Sequence, residues 1–274
     1  MTDRNKEPFA GSYLDPLAHK GMLQDVVRTT AYDEALRRLV KPGSRVIDFG
    51  SGTGVMAIFA ARHGAGHVDA IERTAFVEHA RSIAARSGYP DIVFHHADHE
   101  SFVGSGPADL LVSEWMGHCL FYEAMLEPLI HVRDRWLAEG GVMVPGRVSV
   151  HAALVTDEHC YEDLGFLVNH PYGIDFGPIA EAPLRQCHLV SLRPDQVTEE
   201  VVDLCTLDMK TITRTPERMA GSGRVRSPNV AYGIVAWFSM ELSPDFVVGT
   251  GPFDPETHWQ QVLFPFVEPI ELSP

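Results

Sequence analysis

The sequence predicts an α/β fold in two parts, a doubly wound parallel sheet followed by a mainly antiparallel β domain. From about residue 20 to residue 144, short apolar runs alternate with segments of helical periodicity, and this order of strand and helix produces a parallel sheet. After Pro145 the helical period largely disappears. Apolar runs separated by proline and glycine turns dominate instead, as they do in antiparallel sheets.

The elements of both parts follow from these patterns. In the first part we expect strands at 45–49, 67–71, 92–95, 109–113 and 141–144, and helices at 55–63, 75–87 and about 122–137. In the second part we expect strands at 147–155, 201–209 and 229–240. Residues 157–184 are rich in aromatics, glycine and proline, which suits neither a regular strand nor a disordered linker. We interpret them as an ordered excursion from the β domain.

Composition limits the classes of function. The chain has 274 residues, 45% of them hydrophobic, which is enough for two globular domains. Its formal net charge of -15 disfavours nucleic acid as a partner and favours cationic ligands. With no secretory signal and no run of 18 apolar residues, we expect a cytoplasmic protein without a membrane partner. The four cysteines show no C-x-x-C spacing, so no metal site is expected.

A glycine-rich turn forms the first candidate site. Asp48 closes a buried strand, and Gly50, Gly52 and Gly54 follow before the next helix. Glycine lets the backbone bend sharply and lets a ligand approach closely. The next strand ends at Glu72, 22 residues after Gly50, where a carboxylate can accept both hydroxyls of a ribose. These residues predict a Rossmann-like sheet that binds an adenosine-containing ligand.

Two cofactors contain such an adenosine. The pyrophosphate of NAD favours G-x-G-x-x-G with a helix N-terminus behind the phosphates, whereas the spacing from Gly50 to Gly54 is G-x-G-x-G. S-adenosylmethionine has no phosphate, so the spacing favours it, and an NAD-dependent oxidoreductase is the alternative. Asp98 or Glu100, after the third strand, is expected near the adenine.

The second candidate site is a loop with two glutamates. Glu114 and Glu123 flank Gly117 after the fourth strand, so a hairpin-like loop would bring the two carboxylates face to face. With Trp115 and Met116 beside them, paired carboxylates need a cation to stay ionised. A guanidinium is planar, permanently charged and binds carboxylates with two parallel hydrogen bonds, so it fits such a pair. The alternative is a solvated loop in which one acid caps the following helix.

Both loops resemble motifs of a known family. Glu114-Trp-Met-Gly and Tyr122-Glu123 resemble the double-glutamate loop of the protein arginine N-methyltransferases, and Thr257-His258-Trp259 resembles the Thr-His-Trp loop of that family. The resemblance extends from Phe9 to about Phe266. It implies a type I-like enzyme that transfers a methyl group from S-adenosylmethionine to an arginine guanidinium nitrogen, in a protein or in a small molecule. A catalytically silent dimeric scaffold is a further alternative.

The resemblance also implies an architecture. Residues 1–40 would form helices that close over the cofactor, residues 41–146 the Rossmann-like methyltransferase sheet, and residues 147–274 a β-barrel-like domain. The excursion at about 157–184 would be the dimerisation arm of a homodimer. Family members typically continue through further strands, whereas 15 residues follow Trp259 here. The barrel is therefore expected to be smaller, completed by a partner or truncated.

Further side chains take their expected roles from the resemblance. His258, paired with Asp25, would either release the proton or dock the N-terminal helix. Trp259 would wall the substrate channel or belong to the core, and Trp115 and Met116 would contact substrate. The residues expected to contact the cofactor are Tyr13, His19, Met22, Arg28, Asp48, Gly50, Gly52, Gly54, Glu72, His99, Glu100 and Met125.

Arg28, Met22 and His118 carry more specific expectations. Arg28 would pair with the methionine carboxylate of the cofactor. Met22 resembles the residue of enzymes that make asymmetric dimethylarginine. His118 departs from the resemblance, because the family usually has a tyrosine there, inside the substrate loop.

Overall fold

The computed structural model describes residues 12–226 and 229–273, so Phe9 and its expected role lie outside the described residues. Within these ranges the helices are α1 (Pro16–Gln24), α2 (Val26–Leu39), α3 (Val55–Arg62), α4 (Val77–Arg86), α5 (Leu126–Trp136), α6 (Glu158–Leu164) and α7 (Gly177–Ala180). The strands are β1 (Arg45–Phe49), β2 (His67–Glu72), β3 (Val93–His96), β4 (Ala108–Val112), β5 (Leu137–Val144), β6 (Arg147–Val155), β7 (His188–Val190), β8 (Val202–Asp208), β9 (Asn229–Ser243), β10 (Phe246–Gly249) and β11 (Gln261–Leu272).

The first sheet confirms the predicted doubly wound arrangement. Its five strands are parallel and lie in the order β3-β2-β1-β4-β5. Residues Val46 to Phe49 of β1 are all buried, as expected for a central strand covered by helices on both faces. The chain winds from β1 through β2 to β3 on one side and then returns to β4 on the other. Ligands bind where the strand order reverses in this way, beyond the carboxyl ends of the strands.

One helix begins later than the sequence predicts. The expected start was near residue 122, but α5 begins at Leu126. Cys119, Leu120 and Ala124 have φ angles of 48°, 72° and 52°, in the left-handed region that a right-handed helix cannot contain. The segment between Glu114 and α5 is therefore a longer loop than expected.

The second sheet is antiparallel, and its strands lie in the order β7-β11-β9-β6-β8, with β10 paired to β9. In the part of the chain that the structure describes, the edge strands β7 and β8 do not pair with each other. The expected β-barrel-like domain is thus an open sheet there, because β8 hydrogen-bonds only to β6 and β7 only to β11. The first sheet ends at Val144 and this one begins at Arg147.

One of the two hydrophobic core clusters among the described residues spans both sheets. It extends from Val112 in β4 through Val148 and Phe238 to Trp259, beside the glutamate loop.

Residues 157–185, between β6 and β7, form α6, α7 and short 3-10 turns. Several apolar side chains of this segment are exposed, namely Phe166, Val168, Tyr172, Ile174 and Ile179. No helix among the described residues is both long enough and apolar enough to cross a membrane.

Candidate active site

A cavity of about 770 Å³ opens at the carboxyl edge of the parallel sheet. Eleven of the twelve side chains or glycines expected to contact the cofactor line it, namely Tyr13, His19, Met22, Arg28, Asp48, Gly50, Gly52, Glu72, His99, Glu100 and Met125. Asp98 also lines it, and so do both glutamates of the loop, Glu114 and Glu123. The two sites predicted separately from the sequence are therefore parts of one cavity.

Backbone hydrogen bonds fix the cofactor side of this cavity. Glu72 accepts the Gly52 N–H at 3.0 Å with one carboxylate oxygen and the Thr74 N–H at 2.7 Å with the other. Each oxygen keeps further acceptor capacity for a ribose hydroxyl. Within the described ranges, the buried Ser51 hydroxyl has no hydrogen-bond partner, and it lines the cavity. We had not singled out Ser51, although its place between two glycines of the turn was the available signal.

Asp48 connects β1 to the start of α3. Its Oδ2 accepts the Ala57 N–H at 2.9 Å, and its side chain is buried. Burial raises the pKa of Asp48 to about 7, and the negative charge of Glu72 adds to that rise. The carboxyl group beneath the glycine turn is thus poised to hold a proton near neutral pH.

Gly54 is the exception among the expected cofactor contacts, because it faces away from the cavity. It precedes α3 with φ 76°, and a Cβ there would lie 2.9 Å from the Phe94 ring. The glycine is needed for the left-handed backbone and for the close packing of α3 on β3. The structure thus accounts for Gly54 through the shape of the turn, and its contact with a ligand stays a prediction.

The glutamate loop is a tight hairpin. Gly117 and Leu120 exchange backbone hydrogen bonds of 3.2 and 2.9 Å. A Cβ at Gly117 would lie 2.7 Å from Cγ of Glu123, so only glycine allows the returning chain to come this close. The hairpin places Glu114 and Glu123 on the same cavity.

Arg28 lines the cavity as expected and also bonds to the glutamate loop. Its Nη2 and Nε donate to Oε2 of Glu114 at 2.5 and 3.1 Å, and its Nη1 donates to the Met22 carbonyl at 3.1 Å. Burial opposes the charge of Arg28, but the Glu114 carboxylate outweighs it and raises the arginine pKa. A buried guanidinium needs a carboxylate partner, and Glu114 is the one within reach. Arg28 thus lines the cofactor cavity while it compensates the charge of one substrate-loop glutamate.

Glu123 has a different environment. Burial raises the pKa of Glu123, and the Glu114 charge raises it further, whereas a hydrogen bond from the Tyr13 hydroxyl opposes the rise. Burial and the Glu123 charge also raise the pKa of Tyr13, which keeps that hydroxyl a donor. Glu123 is therefore the carboxylate that gains most from a cationic ligand.

The Thr-His-Trp loop docks on the N-terminus of α2. Asp25 accepts the His258 backbone N–H at 2.9 Å and lies 2.8 Å from its ring Nδ1, and its other oxygen caps the helix through the Arg28 N–H. Burial alone would raise the pKa of Asp25, but these hydrogen bonds lower it below its usual value. The expected pairing of Asp25 with His258 is present in the structure.

Three side chains expected at the substrate channel are buried in the core. Trp115, Met116 and Trp259 are only 1%, 2% and 2% exposed. The Trp259 Nε1 donates to the Met116 carbonyl at 2.7 Å, and its ring meets Phe238 edge-on. These large apolar groups gain more by packing beneath the hairpin than by lining a polar cavity. Trp259 thus occupies the core position that was one of its two expected places, and contact of Trp115 and Met116 with substrate stays a prediction.

His118 lies between the two glutamates in the hairpin. Its Nδ1 is 2.8 Å from the Trp259 carbonyl oxygen, and its ring lies 6.2 Å from that of Tyr122. The departure from the family pattern therefore joins the glutamate loop to the Thr-His-Trp loop. Across the described ranges, no group of three or more His, Cys, Asp or Glu side chains could hold a metal ion.

Comparison with known proteins agrees with this geometry. A family model described as "Arginine methyltransferase oligomerization subdomain" matches residues 146–273, and one described as "Methyltransferase domain" matches residues 46–141. In the solved Trypanosoma brucei PRMT1 enzyme-prozyme heterotetrameric complex with AdoHcy, a chain 25% identical superposes with a TM-score of 0.85, covering 96% of this chain and 86% of that one.

Curated relatives match over nearly the whole chain. Protein arginine N-methyltransferase 2 of Xenopus tropicalis is 34% identical over 97% of this chain and 66% of its own length. Protein arginine N-methyltransferase 1 of Oryza sativa subsp. japonica is 30% identical over 93% of this chain and 69% of its own length. The chain thus spans about two thirds of the length of these relatives. It belongs to the protein arginine N-methyltransferase family.

Proposed function

We propose that this protein transfers a methyl group from S-adenosylmethionine to a guanidinium nitrogen of an arginine in a protein or peptide. One observation carries the proposal: the Gly117 hairpin presents Glu114 and Glu123 to the same cavity that Glu72 lines. The cavity thus presents Glu72 to the ribose of one ligand and the pair of Glu114 and Glu123 to the cationic group of a second ligand.

The cofactor side fits S-adenosylmethionine. Glu72 offers acceptors for the ribose, the unpartnered Ser51 hydroxyl offers a buried polar contact, and His99 and Glu100 line the region after β3 where the adenine would lie. When bound, S-adenosylmethionine supplies an electrophilic methyl group on a sulfonium centre. We assign the orientation of its methionine end to Met22 and Arg28, which line the cavity beside Glu114.

The substrate side fits a guanidinium. Glu123 is the less compensated carboxylate, since Glu114 already accepts two hydrogen bonds from Arg28. A planar cation shared between Glu123 and Glu114 would keep Glu123 ionised and would fix the orientation of the attacking nitrogen. Positioning and electrostatics then supply most of the catalysis.

The proton of the guanidinium must leave during or after transfer, because arginine is not deprotonated at physiological pH. His258 was one candidate to receive it. Its Nδ1 and its backbone N–H are both bound to Asp25, and this arrangement supports the alternative in which His258 docks the Thr-His-Trp loop on α2. We propose that docking role for His258, with Glu123, which lines the cavity and whose pKa burial raises, as the group for proton release.

We further propose a cytoplasmic homodimer formed through the arm at about 157–184. The exposed side chains of Phe166, Tyr172, Ile174 and Ile179 give this segment an apolar surface, and the matching family model is described as an oligomerization subdomain. The four cysteines are free thiols, which suits a reducing compartment.

Mass spectrometry tests the proposed reaction. The protein would be incubated with S-adenosylmethionine and a glycine-flanked arginine peptide, its lysine counterpart, or free arginine. We expect added methyl groups on the guanidinium of the peptide arginine and none on the lysine peptide. Methylation of free arginine alone would move the substrate class to small molecules. Binding of S-adenosylhomocysteine without transfer to any acceptor would favour the silent scaffold.

A further inference from the structure

The ring of His118 bonds the glutamate hairpin to a second loop. Its Nδ1 lies 2.8 Å from the carbonyl oxygen of Trp259. A carbonyl can only accept a hydrogen bond, so Nδ1 carries a proton and donates it. The Trp259 Nε1 donates in the opposite direction to the Met116 carbonyl at 2.7 Å. Two hydrogen bonds of opposite direction therefore connect residues 116 and 118 to a single tryptophan.

Trp259 is a rigid anchor for these two bonds. Its side chain is 2% exposed and packs edge-on against Phe238, with ring centroids 5.3 Å apart. The preceding residue, His258, is fixed to Asp25 through both its backbone and its ring. The Trp259 carbonyl consequently moves with the core and with the N-terminus of α2.

A few backbone hydrogen bonds support the hairpin from within. Two close it between Gly117 and Leu120, and the N–H groups of Phe121 and Ala124 donate to the carbonyls of Cys119 and Phe121. Cys119 and Leu120 hold left-handed φ angles of 48° and 72°, a strained conformation for residues other than glycine. A loop with this much strain keeps its shape only when its surroundings determine it.

The two glutamates depend on the hairpin to different degrees. Glu114 is fixed directly by Arg28. Glu123 lies against Gly117, where a Cβ would already be too close, so a displacement of Gly117 displaces the Glu123 side chain as well. The distance between the two carboxylates therefore follows the position of residues 117 and 118.

We infer that His118 is a positioning residue for methyl transfer, which through its Nδ1 hydrogen bond to Trp259 holds Glu123 at the distance from Glu114 that a guanidinium requires. This inference rests on the proposed function. The donor must lie next to Cγ of the side chain, which is where histidine Nδ1 lies. Asparagine has an N–H at the same place, whereas the N–H of glutamine lies one bond further out.

The test compares His118→Asn with His118→Gln. Asn retains a donor in the Nδ1 position, and we expect it to keep kcat within about threefold of the parent protein. Gln places its N–H one bond too far out to donate to the Trp259 carbonyl in the same way. We therefore expect kcat to fall about tenfold, the effect of one lost hydrogen bond. KM for S-adenosylmethionine should change less than twofold in both, because the cofactor side of the cavity does not use His118.

His151→Gln is the matched control. This histidine also bonds through its ring, to Asp203 and Ser239, but it lies on β6 in the second sheet. Its replacement should lower the melting temperature without lowering kcat. Equal kcat values for the Asn and Gln variants of His118, whether high or low, would overturn the Nδ1 assignment.

A second readout does not need turnover. Hydrogen exchange of the Trp259 indole N–H, assigned in NMR spectra with Trp259→Phe, reports the partner bond to Met116. We expect faster exchange in His118→Gln than in His118→Asn. If the parent protein methylates nothing, the proposed function fails while this exchange difference still decides the role of His118, and equal exchange rates would refute it.

Discussion

The two walls of the cavity are built in different ways. On the cofactor wall, Glu72 is held by the N–H groups of Gly52 and Thr74, which lie 20 and 2 residues away in the chain. On the substrate wall, the partners are distant: Arg28 reaches Glu114 across 86 residues, and Trp259 reaches Met116 across 143. Local backbone bonds make the first wall, and tertiary packing makes the second.

This difference has a consequence for function. The cofactor wall keeps its shape as long as β1 and β2 are paired. The substrate wall keeps its shape only when α2, the hairpin and the Thr-His-Trp loop are all in place. Substitutions on the two walls should therefore separate cofactor binding from methyl transfer.

The largest effect is expected at Glu123. Replacing it by Gln keeps the shape but removes the charge that would hold a guanidinium, and we expect kcat to fall by roughly 10³-fold or more, as when a preorganised electrostatic contact is removed. Affinity for S-adenosylhomocysteine, measured by calorimetry, should stay within about threefold. Glu139→Gln, at an exposed position in β5, is the control and should have no effect. Undiminished turnover in the Glu123 variant would remove the loop from the mechanism.

The next effect is a pH dependence of stability that arises from Asp48, the buried carboxyl group beneath the glycine turn. The pKa of Asp48 is raised from 3.8 to about 7, so the fold favours the protonated carboxyl. Its contribution to stability is complete below pH 3.8, decreases as pH rises to about 7, and is constant above. The total change is of the order of a few kcal/mol. Urea unfolding across this range should show the decrease in the parent protein and a flatter profile in Asp48→Asn.

Asp69 lies in the neighbouring strand, and its contribution to stability should change with pH in the opposite direction. Burial would raise its pKa, but hydrogen bonds from His95 and His67 lower it to about 2. Its contribution is present above pH 3.8 and is lost as pH falls towards 2. Asp69→Asn should therefore become relatively less unfavourable at acidic pH. If Asp48→Asn and Asp69→Asn changed the pH dependence of the unfolding free energy in the same direction, the environments assigned to the two carboxyl groups would be contradicted.

A smaller effect is expected for Glu72→Gln. The variant loses the charge and one of the two acceptors for backbone N–H groups, so the ribose contact and the turn both weaken. We expect affinity for S-adenosylhomocysteine to fall about tenfold to thirtyfold, in line with hydrogen bonds to a charged group. At saturating cofactor, kcat should change less than in the Glu123 variant. An unchanged affinity would place the ribose elsewhere.

The smallest effect is expected for Trp259→Phe. It removes the hydrogen bond to Met116 and part of the buried ring, which costs about 1–3 kcal/mol of stability. Denaturant unfolding measures this loss. The affinity for S-adenosylhomocysteine should not change, because Trp259 supports only the substrate wall. A parallel loss of cofactor affinity would show that the two walls are not separate.

The sequence was sufficient for the features that local physics determines. The strand and helix periods predict the parallel sheet, and the glycine turn with Glu72 predicts its ligand edge. It was also sufficient for the pair of glutamates, because the hairpin depends on Gly117 between them. The start of α5 could not be predicted, since the left-handed residues Cys119 and Leu120 have no sequence signature of their own.

The sequence did not allow us to predict which side chains distant in the chain bond to each other. Arg28 was expected to pair with the cofactor, and its bond to Glu114 was not foreseen; Trp259 was expected either to wall the channel or to belong to the core, and it lies in the core. Nothing in the sequence near either residue states which distant group it meets. The bond between His118 and the Trp259 carbonyl is of the same kind, because it joins two loops that come together only in the folded chain.

The central claim is that Glu114 and Glu123 bind a guanidinium as a cation. Calorimetry on the protein loaded with S-adenosylhomocysteine tests it most directly, with an arginine peptide and the same peptide containing citrulline, which has nearly the same shape but no charge. The two carboxylates predict at least about tenfold tighter binding of the arginine peptide, since charged hydrogen bonds contribute roughly 1.5–3 kcal/mol. Equal affinity for the two peptides would contradict the claim.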